Sequence, residues 1–403
     1  MKRRIFFVPL VALILVAAVW PDDARAIPTF ARKYGFNCTM CHSGFPRLND
    51  FGARYRENGY RLPGRESEER TVLESPPPFA ARTAAGYDSI RYDDTAITDV
   101  SQFRLEGLDI LSGGLLGSNI GYFVVFPPQI SESRGVVGQD GTLEMANVVF
   151  ARLGGTGWLN VRAGRFEPAY VAFSSKRQLS VFPYEIYGYA FQDGIAFSDT
   201  QSGVEVFGHG GKGLHYAAGI LEGGDSNLND DAPGDAYARF HVVLGAGEGQ
   251  TAGHRIGLVA YQGKARYPTG VLDESQRKSF TRYGLDASLN FGPVNVAIQY
   301  LRAEDDKGFW AGASEDLTYS GGFAEVLFQP RTDLAAFCRY DRVNAPDAAS
   351  QSSVTRLTAG ARYYIEDQIA LHAELSDRTT AFRGDGVPDA TEKAFTVRLD
   401  FAF

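Results

Sequence analysis

From about residue 79 onward the chain alternates, and this alternation limits its fold more than any other feature. In 280–291, Tyr283, Leu285, Ala287, Leu289 and Phe291 take every second position, and Arg282, Gly284, Asp286, Ser288 and Asn290 take those between. Successive Cβ atoms of a strand point to opposite faces, so the segment reads as a strand with one apolar and one polar face. After the Gly292-Pro293 turn, Val294, Val296, Ile298 and Tyr300 repeat the pattern. In 236–244, Ala236, Ala238, Phe240, Val242 and Leu244 oppose Tyr237, Arg239 and His241. The final stretch, Lys393 to Phe403, sets Phe395, Val397, Leu399, Phe401 and Phe403 against Thr396, Arg398, Asp400 and Ala402.

A soluble β-sandwich alternates in the same way. Strands of about 10 residues, turns that are short and long by turns, and aromatic residues near strand ends point instead to an all-β, transmembrane antiparallel β-barrel. A closing strand that ends on Phe resembles the assembly signal of bacterial outer-membrane proteins. Counting back from Phe403 predicts about sixteen strands. Short turns are expected near Gly154-Gly155, Gly210-Gly211, Gly245 to Gly253, Gly292-Pro293, Pro330-Arg331 and Glu366-Asp367. Long polar loops are expected at 167–201, 222–235, 264–278, 303–316, 344–352 and 377–391. Short turns belong in the periplasm and long loops outside, so an even strand count puts both barrel ends in the periplasm. A barrel this wide keeps an aqueous lumen.

The start of the chain reads differently. Lys2, Arg3 and Arg4 precede an apolar run from Phe6 to Trp20, and Ala24-Arg25-Ala26 follows. These are the parts of a secretory signal peptide, expected to span 1–26 and to be removed before Ile27. The whole chain carries a formal charge of −8. The acidic balance argues against a nucleic-acid partner. The charge is uneven, because Ile27 to Arg65 holds seven basic residues against Asp50 and Glu57. A basic segment on an acidic body is expected to be drawn to it.

That segment carries the chemistry. Cys38-Thr39-Met40-Cys41-His42 has the spacing that attaches a c-type haem. Two thiols add across the two vinyl groups of the macrocycle, and the adjacent histidine supplies an axial ligand to the iron. The chain has only three cysteines, too few for a second zinc-binding pair or a disulfide framework. The third, Cys338, reads as a small apolar strand residue. Ile27 to Gly35 reads as one or two helical turns with Gly35 as the stop, and Asn49 to Asn58 as a second helix ended by Gly59. Leu48, Phe51, Tyr55, Phe30, Phe36, Phe45 and Tyr60 are the expected packing residues around the haem. The resulting organisation is a 27–74 haem segment, a Pro-rich linker at 75–79 and a barrel at 80–403. A segment of this size buries too little surface to stand alone, so the barrel is expected to cover it, as a plug.

The run Ile27 to His42, with Pro46-Arg47-Leu48-Asn49-Asp50-Phe51-Gly52 and Asn58-Gly59-Tyr60, resembles the N-terminus of the fused monohaem cytochrome–porins. Some of these are outer-membrane iron oxidases of iron-oxidising bacteria. Val161 to Pro168 resembles porins. The resemblance implies one haem c in an outer-membrane barrel, bound through Cys38, Cys41 and His42. It implies membrane lipid and periplasmic carriers such as c-type cytochromes as partners, Fe(II) as a donor, and Fe(II):cytochrome c oxidoreductase activity.

The second axial ligand is left open. Met145, His209, His215, His241, His254 and His372 are the available residues. By alternation His215, His241 and His372 face the lumen, towards its periplasmic half. Asp225, Asn227, Asn229, Asp230, Asp231 and Asp235 crowd one loop and could hold a hard cation or simply be solvated. Two functions remain: an electron conduit, or a porin-type transport channel with a structural or sensory haem.

Overall fold

The computed structural model of the chain describes residues 29–402 apart from 63, 65–69, 75–77, 95–96, 129–142, 190–196, 198–199, 211–212, 224–233, 246–252, 267–276, 307–315, 348 and 385. The expected signal peptide, most of the Pro-rich linker and Asp225 to Asp231 lie outside the described residues.

Sixteen antiparallel strands close into one barrel. They are β1 (Phe79–Tyr92), β2 (Val100–Gly117), β3 (Ile120–Phe126), β4 (Met145–Phe150), β5 (Asn160–Phe166), β6 (Gln201–His209), β7 (Leu214–Leu221), β8 (Asp235–Leu244), β9 (His254–Arg266), β10 (Arg277–Phe291), β11 (Val294–Asp305), β12 (Leu317–Arg331), β13 (Leu334–Asn344), β14 (Gln351–Glu366), β15 (Ile369–Phe382) and β16 (Ala390–Ala402). Each strand pairs with its sequence neighbours, and β1 pairs with β16 from Arg82↔Ala402 to Tyr92↔Glu392. Closure leaves no open edge.

The alternation maps onto outside and inside. On β10, Tyr283, Leu285 and Phe291 are exposed, while Arg282 and Asp286 are buried. Phe240, Ile256, Leu258, Ile298, Val326 and Leu357 are exposed in the same way. Apolar residues outside and charges inside invert a soluble protein and suit an outer wall of hydrocarbon. Cys338 on β13 is exposed on that apolar side. Among the described residues no helix is long and apolar enough to cross a membrane.

The wall's inner face is held by buried ion pairs. Arg239 donates to Asp286 at 2.7 Å, Arg282 to Asp305 at 2.5 Å and Arg339 to Asp341 at 2.7 Å. The long connection from β5 to β6 folds inward. Its Tyr170, Val171, Phe173, Tyr184, Ile186 and Tyr187 form an aromatic core with Tyr237, Tyr261 and Phe323 of the wall. Glu185 fixes this connection by accepting from Arg356 at 2.6 Å and Arg378 at 3.0 Å.

The short-turn end is filled by the N-terminal segment. Helix α1 (Thr29–Tyr34) stops at Gly35, and α2 (Asp50–Glu57) runs to Asn58 and Gly59. The segment meets the wall around much of its rim. Arg61 donates to the Ser118 carbonyl at 2.8 Å and to Asn119 Oδ1 at 2.7 Å. Arg47 pairs with Glu325 at 2.5 Å and donates to Asn295 Oδ1 at 2.8 Å. The Phe45 carbonyl accepts from Arg362 at 2.8 Å and from Tyr364 at 2.7 Å. Gly121 is a required glycine, since a Cβ there would stand 2.3 Å from the Gly59 carbonyl oxygen. The attraction expected from the uneven charge is thus visible in the Arg47–Glu325 pair.

Some expected boundaries shift. The turn placed at Pro330-Arg331 falls at Thr332-Asp333, because β12 continues to Arg331. The loop placed at 377–391 shortens to the stretch between Phe382 and Ala390. The barrel begins at Phe79 rather than 80. Asp235 belongs to β8, not to a cation loop: it is buried and accepts from Tyr261 Oη at 2.6 Å and Lys264 N at 3.0 Å.

Candidate functional site

The attachment motif forms one tight turn. Cys41 N and His42 N both donate to the Cys38 carbonyl, at 3.2 and 3.0 Å. Asn49 holds this turn against α2. Its Oδ1 accepts from Gly52 N at 2.9 Å, capping the helix, and its Nδ2 donates to the carbonyls of Met40 at 3.1 Å and Thr39 at 3.3 Å. Its backbone N donates to the Cys41 carbonyl at 3.0 Å. Gly52 is required beside it, because a Cβ would lie 2.2 Å from that carbonyl oxygen.

Cys38, Cys41 and His42 line one apolar cavity of about 190 Å³. From the N-terminal segment come Phe30, Tyr34, Phe36, Tyr55 and Tyr60. From the wall come Leu111, Gly113, Phe123 and Ala402. The barrel therefore completes the cavity, as the shortness of the segment predicts. The aromatic rings interlock, with Phe30 stacked on Tyr60 at 5.4 Å and Tyr60 on Phe123 at 5.7 Å between centroids.

The donor set fits a c-type haem on two counts. The two cysteines are free, not bonded to each other. Burial pushes the Cys38 thiol up to about 12, with Asp367 and Cys41 adding to it, and Cys41 up to about 11. His42 Nδ1 lies 3.0 Å from the Pro46 carbonyl oxygen, which can only accept, so Nδ1 carries the proton and Nε2 keeps its lone pair. Burial lowers the imidazole to about 4, which keeps the ring neutral and able to ligate.

Among the described residues lining this cavity, none is a second histidine or a methionine. Met145 is buried on β4, and His254 Nδ1 faces Asn290 N at 3.3 Å. His372 faces the lumen as expected but bonds Glu374 at 2.8 Å and lies near Arg362 at 3.5 Å. His215 and His241 also face the lumen, and they line a different cavity of about 400 Å³ on the other side of α2. There Glu57 Oε2 lies 3.1 Å from His215 Nδ1 and 3.9 Å from His209 Nδ1. Burial raises the Glu57 carboxyl, but the His215 hydrogen bond and the neighbouring imidazoles outweigh it and hold it below its ordinary range.

Sequence reading singled out the motif and the lumen-facing histidines but not Asn49, Arg47 or Glu57. Asn49 had a usable signal, a helix-capping residue directly before α2. Arg47 stood among the basic residues expected to face the barrel, but its partner and that of Glu57 had no signal, since they lie far away along the chain.

No protein-family model matches the chain, and no curated protein matches it. Solved structures do. An anion-selective porin from Comamonas acidovorans is 13% identical with a TM-score of 0.57, over 81% of this chain and 98% of that one. OmpF of Salmonella typhi in complex with daunomycin is 11% identical with a TM-score of 0.55, over 81% and 97%. The outer-membrane channel DcaP of Acinetobacter baumannii is 11% identical with a TM-score of 0.53, over 81% and 96%. At such identities the likeness is one of fold, and that fold is the closed sixteen-stranded barrel of the porins.

Proposed function

We propose that this chain is a bacterial outer-membrane protein whose porin-type barrel is plugged at its periplasmic mouth by a segment carrying one c-type haem. In this reading it moves electrons across the outer membrane, taking them from extracellular Fe(II) and passing them to periplasmic cytochromes. A bound haem supplies a one-electron couple. Cys38 and Cys41 would hold it covalently, and His42 Nε2 would ligate the iron. Asn49 positions the attachment turn. Phe30, Tyr60, Leu111 and Phe123 give the site an apolar shell, which would tune the potential of a bound haem.

The observation that carries this reading is the convergence of Cys38, Cys41 and His42 on one apolar cavity walled by both plug and barrel. A second reading, a porin-type transport channel with a structural or sensory haem, is the one the solved-structure likenesses favour. The two separate in liposomes. The plugged conduit predicts low conductance for the intact protein and high conductance after deletion of residues 27–66, with reduction of the bound haem by added Fe²⁺. High conductance in the intact protein with no reduction by Fe²⁺ selects the channel. Absence of covalently bound haem after expression with haem-attachment machinery overturns both.

A further inference from the structure

A second cluster of ligand-type side chains stands apart from the attachment motif and is independent of the haem reading. Three histidines form one row across three adjacent strands: His209 on β6 faces His215 on β7, which faces His241 on β8. All three line the same lumen cavity. The rings of His215 and His241 stack with centroids 4.4 Å apart, and those of His209 and His215 at 5.6 Å. Glu57, at the C-terminal end of α2, reaches into this row from the plug. One donor atom from each of Glu57, His215 and His241 lies within 4.8 Å of the others.

The arrangement is unsatisfied. His209 Nδ1 and His241 Nδ1 are both buried with no hydrogen-bond partner. A row of imidazoles could be an ordinary lumen wall, but here a carboxylate from the plug reaches into it. The surrounding charges are also informative. The cavity is rich in arginine, yet Arg239 and Arg255 face Asp286 at 2.7 and 3.5 Å, Arg162 faces Glu205 at 3.3 Å and Arg177 faces Glu167 at 2.8 Å. The Glu57 carboxylate instead hydrogen-bonds His215.

We propose that Glu57, His215 and His241, with His209 as a further donor, form a site for a borderline divalent metal ion such as Zn²⁺, tying the plug to the barrel wall. Imidazole and carboxylate suit Zn²⁺ and neighbouring first-row ions better than Ca²⁺ or Mg²⁺. Tetrahedral coordination at ~2.1 Å needs donors ~3.4 Å apart. Glu57 and His215 already stand at 3.1 Å. The remaining separations close by side-chain rotation into the cavity. Because the carboxylate comes from the plug and the imidazoles from the wall, binding is linked to docking: metal stabilises only the plugged state.

The test is isothermal titration of the folded, untagged, metal-stripped full-length protein with Zn²⁺. One site per chain is expected, with affinity at least tenfold weaker in Glu57→Gln and His241→Ala and unchanged in His372→Ala. Heat-modifiable gel mobility of each variant checks that the barrel is folded, and His215→Gln offers a more conservative replacement should an alanine variant misfold. A second readout is conductance, where Zn²⁺ should make plug openings rarer in the wild type but not in Glu57→Gln. Folded wild type that binds no Zn²⁺, or variants that bind as tightly as wild type, overturns the proposal.

Discussion

Arg47→Ala should loosen the plug, although the Arg47 side chain itself lies outside the lining of the cavity beside the cysteines. Arg47 reaches from the attachment segment to Glu325 at 2.5 Å, with side chains 13% and 1% exposed. It also donates to Asn295 at 2.8 Å. Removing one member of a buried pair leaves the other charge uncompensated and costs about 3–5 kcal/mol. Arg47 keeps some solvent contact, so the lower end applies. About 3 kcal/mol corresponds to roughly a hundredfold rise in the undocked population. Hydrogen exchange at the amides of Gly52 and Ala53, both bonded through Asn49, reads that population directly. Glu325→Gln should cost less, because Arg47 keeps its bond to Asn295. Replacing both partners with methionine should recover most of the loss, since a well-packed apolar pair can match a buried ion pair. Exchange in Arg47→Ala within threefold of wild type, on a folded barrel, would refute this account of how the plug is anchored. So would a double variant as loose as the single one.

Gly52→Ala forces a methyl against the Cys41 carbonyl and should destabilise the turn at Cys38 to His42 by about 1–3 kcal/mol; faster hydrogen exchange at the Ala53 amide, which donates to the Asn49 carbonyl, checks it. Leu285→Arg, at an exposed apolar position of β10, should cost about 2–4 kcal/mol in barrel folding if this face meets the bilayer midplane, measured by urea unfolding in vesicles. An unchanged midpoint there would mean that the face is not in hydrocarbon. In protein made without haem attachment, burial that raises Cys38 to about 12 and Cys41 to about 11, above the ordinary 9.0 of a thiol, keeps both thiols protonated at pH 8. Iodoacetamide should therefore react two to three decades more slowly with the native protein than with the denatured one, the gap closing as pH approaches the native values.

How much of this could be read from the sequence depends on which solvent imposes the pattern. Hydrocarbon outside and water or charge inside act on every residue of every strand, so alternation identified the face of Leu285, Asp286, His215 and His241 correctly. It also located the glycine and proline turns to within a few residues. Alternation gives a face but not a height, because positions two apart on a strand share a face yet sit about 6.7 Å apart. The row His209–His215–His241 depends on turn lengths between 209 and 214 and strand registers that no periodicity reports. Contacts between plug and wall were less legible still. Arg47 and Glu325 are separated by 278 residues, and nothing local to either marks the other. The N-terminal segment's dependence on the barrel, by contrast, followed from size alone. About four dozen residues bury too little surface to stand alone, and Leu111, Phe123 and Ala402 of the wall complete the cavity. The same residues make the cavity a joint property of two parts of the chain. Any change that undocks the plug, at Arg47, Gly121 or Glu57, must also open one side of the cavity to water, so plug docking and the environment of His42 should shift together.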